Sequence, residues 1–142
     1  MIRRFENSGI SEREKMSEFR TFEDLECWKA GRELRKWASS KARTFPKEER
    51  FVPCSQLNRA ARSVTANIAE GYGRFHYQEN IQFCRQARGS AYEVLDHLIT
   101  AFDEDYIDDE ALSYGRGLVE TNVKLTNEYV RYLEAEKSAN SK

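Results

Sequence analysis

After a polar opening of 19 residues with no apolar period, hydrophobic positions recur every three or four residues along most of the chain. That spacing places them on one face of a helix and predicts four helical segments. The first runs from about Thr21 to Thr44, with Thr21 or Asp24 as its cap and acids in its first turn. Cys27, Ala30, Leu34, Trp37, Ala38 and Phe45 form its apolar stripe, and Leu25 and Trp28 lie on a second. Two stripes predict burial on two sides, as in an oligomer. Phe45-Pro46 breaks this helix, because a residue before proline avoids the α region.

The second helix is expected from near Pro53, with Leu57, Ala61, Val64 and Ile68 as a heptad-like seam and Gly71 and Gly73 as its stop. A third is expected over about Tyr77–Glu104, its broad face carrying Ile81, Cys84, Ala91, Val94, Leu95, Leu98, Ile99 and Phe102. Acidic residues between 103 and 109 mark the following turn. The fourth runs from about Asp109 to Ala135. Short connections between long helices force antiparallel neighbours, so the expected fold is all-α, an up-down-up-down four-helix bundle. It occupies residues 20–136, with disordered tails at 1–19 and 137–142. Met16 offers an alternative start that would leave residues 1–15 outside the protein.

Composition agrees with long helices: 142 residues hold only two prolines and seven glycines, too few turn formers for an all-β fold. No apolar run reaches the roughly 18 residues of a membrane span, and the N-terminus lacks an apolar signal region, so a cytoplasmic location is expected. The three cysteines, Cys27, Cys54 and Cys84, are widely spaced among helical residues and contain no C-x-x-C. They read as free, half-buried thiols of a reducing compartment.

The net charge of −1 counts against non-specific affinity for nucleic acid, but it is unevenly spread. Residues 20–76 carry twelve basic and seven acidic residues, and residues 77–142 seven and thirteen. One reading is a basic face fit for a polyanion; the other is that the two halves pack together and offset each other.

On the second helix, Gln56, Arg59, Ser63, Asn67, Glu70 and Arg74 fall within about 80° of one another at helical spacing. This polar stripe lacks lysine and is short-chained, which suits an interface or ligand-facing groove as well as a solvent face. Asn67 and Glu70 are expected to be largely buried and hydrogen-bonded, toward Arg88 or Ser90 of the third helix. There, Gly89 and Ser90 within RGSAYE cost helix stability in isolation and predict close approach of another helix.

Catalytic signatures are absent. Neither His76 nor His97 has the Glu three residues before it that a bundle di-iron site needs. Glu93 and His97 share a face at i,i+4 but read as a surface contact. Gly71-Tyr72-Gly73 follows a helix and lacks the GK[ST] of a phosphate loop, and no G-x-S-x-G occurs. No enzyme activity, metal, cofactor or small-molecule substrate is expected.

The stretch SQLNRAARSVTANIAEGYGR (Ser55–Arg74), followed by ARGSAYE (Ala87–Glu93), resembles the 23S rRNA intervening-sequence proteins, a four-helix-bundle family. Gln56, Leu57, Arg59, Ala60, Ala61, Ser63, Val64, Asn67, Ile68, Ala69, Glu70, Gly71, Gly73 and Arg74 match its central pattern, and Ala87, Arg88, Gly89, Ser90 and Glu93 a later element. The opening F-x-D-L-x-x-W-x-x-A form matches in part, at Phe22, Asp24, Leu25 and Trp28 with Gly31 in the place of its alanine, and F-P-x-E-E matches at Phe45, Pro46, Glu48 and Glu49. The resemblance covers about residues 20–135. It implies a homopentamer, and members encoded within bacterial 23S rRNA genes. A more distant likeness is to accessory proteins of diversity-generating retroelements, pentameric bundles that bind nucleic acid through a basic surface. Together these imply a non-enzymatic oligomeric bundle associated with rRNA or a ribonucleoprotein. Arg59, Arg62, Arg74, Arg85 and Arg88 are the phosphate-contact candidates. Gln56, Ser63, Asn67, Glu70, Gly71, Gly89, Ser90, Glu93 and Trp28 are the motif or interface positions. The alternative is a homo-oligomeric interaction scaffold without nucleic acid.

Overall fold

A computed structural model describes residues 21–47 and 51–140; the expected tail 1–19 lies outside them. Four α-helices occur among the described residues: α1 (Glu26–Ala42), α2 (Phe51–Gly73), α3 (Tyr77–Asp103) and α4 (Asp109–Asn140). Each packs on two neighbours, in the closed order α1–α2–α3–α4–α1. Cross-helix contacts give the directions. Ser63 meets Ser90 while Gly71 lies against Asn80, so α2 and α3 are antiparallel. Asn122 reaches Cys27 while Gly115 lies under Trp37, so α4 runs against α1. The fold is an antiparallel up-down-up-down four-helix bundle.

The expected stripes form its core. Leu34, Ala38, Leu57, Val64, Ile68, Val94, Leu98 and Val119 are fully buried. Burying each large aliphatic side chain contributes roughly 1.5–3 kcal/mol relative to leaving it exposed. The second stripe on the first helix, however, does not exist as such. Thr21 caps a separate 3-10 turn (Phe22–Asp24), accepting the Glu23 amide at 3.0 Å. Leu25 then sits in extended backbone before α1 and is buried in the same core. Trp28 packs edge-on against Phe22 (5.3 Å), with Arg32 over its ring (5.9 Å). Trp28 remains half-buried.

The helix ends carry further corrections. Gly71 does not stop α2; it is buried inside the helix where α3 crosses. A Cβ there would come within 2.7 Å of Asn80 Oδ1 and 2.9 Å of Phe83 Cβ. The left-handed residue that turns the chain into α3 is Phe75 (φ 58°). At the end of α3, Asp105 (φ 64°) takes the usual place of glycine. Its amide bonds Phe102 O (3.0 Å) and the Tyr106 amide bonds Ala101 O (2.8 Å), the paired bonds of a Schellman cap. Asp108 Oδ1 then accepts the Ala111 amide (2.8 Å) and starts α4. That helix continues to Asn140, so residues 137–140, expected in a disordered tail, are helical. No helix of the described residues is long and apolar enough to cross a membrane.

Candidate nucleic-acid interface

The five candidate arginines differ in what holds them. Arg59 and Arg62 are exposed on α2. Neither guanidinium has a hydrogen-bond or ion-pair partner among the described residues. The other three are engaged. Arg74 ends the polar stripe, bonded to Glu70 (3.0 Å), near Glu79 (3.9 Å) and over the Phe83 ring (5.1 Å). Arg85 and Arg88 face α4, where they meet Glu134 (3.8 Å) and Asn127 Oδ1 (2.7 Å).

The polar stripe divides in the same way. Ser63 is half-buried in the α2–α3 groove, its hydroxyl 2.8 Å from that of Ser90. Asn67, also half-buried, donates from Nδ2 to Ser63 O and Oγ, both at 2.9 Å. It therefore reaches Ser90 through Ser63. Glu70 is a correction: it is half-exposed, and its partner is Arg74, the residue just past the end of α2, rather than any group of α3. The carboxylate lies at i,i+4 from the guanidinium, which is close enough to satisfy it locally.

Gln56 is exposed, beside His97 and Thr100 at the far end of the groove. His97 Nε2 lies 3.1 Å from Glu93 Oε2, an isolated pair on one turn. No group of three His, Cys, Asp or Glu that could hold a metal ion occurs among the described residues. Gly89 is a further correction. Among the described residues no atom beyond its own helix lies within 4 Å of the place its Cβ would occupy; α2 comes close at Ser90 instead. Trp28 belongs to the α1 end of the bundle, remote in sequence from this groove.

Below the surface the residues are polar in a way the period did not signal. Arg35 Nη1 donates to the buried Thr65 hydroxyl (2.8 Å), which ties α1 to α2. Asn122, fully buried on α4, donates to Cys27 O (2.9 Å). Asn80 donates to Tyr129 OH (3.1 Å) and accepts from the Cys84 thiol (3.6 Å). Cys27 and Cys84 are buried rather than half-buried; only Cys54 is intermediate. Burial pushes the Cys84 thiol up to about 12, against the opposing pull of Arg88. Burial, and then the neighbouring Cys84, raise the Cys27 thiol as well. Such thiols are inert as nucleophiles near neutral pH.

The sequence reading also missed an aromatic cleft at the α2–α3 turn. Tyr72, Phe75, His76 and Asn80 line it together with Tyr129 and Tyr132 of α4. The available signal was four aromatic or histidine residues in the six between Tyr72 and Tyr77, read only as a helix stop.

The family model for 23S rRNA-intervening sequence protein matches residues 23–128. Among curated proteins, none matches the chain. The matched span takes in α1 to α3 and most of α4, including the α2–α3 groove with Ser63, Asn67 and Ser90 and all five candidate arginines. The chain belongs to the 23S rRNA-intervening sequence protein family.

Proposed function

We propose that this protein is a non-enzymatic bundle that self-assembles and associates with RNA or a ribonucleoprotein in the cytoplasm, with Arg59 and Arg62 as its principal phosphate contacts. The observation that carries the reading is that these two guanidiniums stand exposed on one helix without partners among the described residues. An unpaired arginine loses little on meeting a phosphate, whereas Arg74, Arg85 and Arg88 must first leave a carboxylate or an amide. The assembly is taken as a homopentamer from the family resemblance. Its contact surface is the α2–α3 groove, where Gly89 and the Ser63–Ser90 pair leave room for another copy. A ring repeats Arg59 and Arg62 around its axis, concentrating positive potential that the chain's net charge of −1 conceals.

Titration with structured 23S rRNA fragments at increasing salt tests the reading. Phosphate contacts require a steep loss of affinity with salt, and Arg59→Glu with Arg62→Glu should abolish binding. Absent binding from low salt upward would refute it.

A second reading has its own support. A scaffold that contacts only protein would equally use a short, uncharged groove such as that around Ser63, Asn67, Gly89 and Ser90. Self-assembly without any RNA affinity would favour it.

A further inference from the structure

Phe75 is the most conspicuous side chain at the end of the bundle. It is 85% exposed and holds φ at 58°, a conformation that costs a bulky residue free energy and that glycine takes without strain. Nothing in the bundle core repays this, since the ring lies outside it. Its ring is instead 6.4 Å from Tyr72, and both line a cleft of about 320 Å³. Another wall comes from α4, where Tyr129 and Tyr132 are stacked nearly parallel, 6.3 Å apart with 11° between their planes. The lining also includes His76 and the mostly buried Asn80, whose amide is held by Tyr129 OH and the Cys84 thiol. After those two bonds, Asn80 keeps one N–H and one carbonyl lone pair.

We propose that this cleft takes an unpaired base of single-stranded RNA, with Phe75 as the exposed stacking platform. The inference rests on the RNA association proposed above and adds to it the kind of RNA recognised. The cleft is at the small end of pockets for planar ligands. Aromatic faces stack any base, and an amide of asparagine is among the groups that bond base edges. A second groove lies between the start of α3 and the end of α4, lined by Gln78, Arg85, Glu134 and Lys137. Arg85 and Lys137 stand there paired with Glu134 and Gln78, so a phosphate beside a seated base would exchange with those partners. A protein knob entering the cleft would instead leave the remaining Asn80 N–H and carbonyl lone pair to be matched in a dry contact. The observations therefore favour a base over another copy of the chain.

The test uses the full chain and a 12-nucleotide single strand carrying 2-aminopurine, alone and as a duplex with its complement, at low salt. The fluorescence of the single-stranded probe should be quenched by the wild-type protein. Phe75→Ala and Tyr132→Ala should each weaken single-strand binding by about tenfold or more, the scale of losing one stacked base. Duplex binding through Arg59 and Arg62 should be unchanged, and Phe75→Trp should restore single-strand affinity. Because Phe75 is exposed, its substitution leaves the core intact. If both RNA forms bind but neither cleft variant alters single-strand binding, the cleft assignment is overturned and the RNA reading stands. If Phe75→Ala dissociates the assembly, the cleft is a subunit contact and the assignment is likewise overturned. If neither form binds at low salt, both readings fail.

Discussion

At the scale of single residues, two positions behave opposite to their chemical appearance. Phe75 is a large aromatic in a left-handed conformation with its ring in water. Phe75→Gly should therefore raise stability by about 1 kcal/mol in a thermal melt, the relief of the left-handed penalty net of glycine's extra unfolded-state entropy. Glu70 looks like a buried motif carboxylate but is an exposed partner of Arg74. Glu70→Ala should change stability by less than about 1 kcal/mol, as for other exposed pairs at i,i+4. A larger loss would place another group against that carboxylate.

At the scale of helices, close approach and capping decide more than propensity does. Gly71→Ala gains about 1 kcal/mol of helix propensity. It also forces a Cβ to within 2.7 Å of Asn80 Oδ1 and 3.1 Å of the Asn80 backbone carbonyl. Backbone cannot yield as a flexible side chain can, and overpacking costs roughly 1–3 kcal/mol. The variant should thus be less stable than the wild type, by denaturant midpoint. Gly115→Ala should lose less, because its Cβ would meet only distal side-chain atoms, of Trp37 and Leu98 at 2.7 Å, which can shift. Asp108→Ala removes the side-chain acceptor of the Ala111 amide and should cost about 1 kcal/mol.

For the whole molecule, buried thiols and a buried phenol set the alkaline limit. Cys84 is pushed up to about 12 from 9.0 by burial; Cys27 and Tyr129 are also raised, burial again being the largest cause. Once the pH exceeds 9, the unfolded chain releases protons that the folded one retains. Stability then falls as pH rises through the folded-state values. Urea midpoints should be insensitive to these groups below pH 9 and decline above it. In the proposed homopentamer, Gly89→Ala is the most discriminating substitution. Its Cβ would meet no atom of another element among the described residues, so in an isolated bundle it would add helix propensity. In the assembly it should instead reduce the mass seen by native mass spectrometry from five chains toward one.

Local pattern was enough for the helices and the core. Leu57, Ala61, Val64 and Ile68 recur at helical spacing and are buried because any helix carrying that stripe must cover it. Four such helices with short links leave little choice of arrangement, so the bundle was legible before any coordinate. The family was legible too, in the run from Ser55 to Arg74. Helical spacing, however, says which residues share a face and not what that face meets. Tertiary packing put Leu25 into the core from outside α1, gave Gly71 to the crossing of α3, and left the Cβ position of Gly89 with no neighbour within 4 Å among the described residues. It also gave Arg85 and Arg88 partners on α4, and joined Tyr72 and Phe75 to Tyr129 and Tyr132 across more than fifty residues of chain. Those outcomes depend on distances between helices, which no single helix encodes.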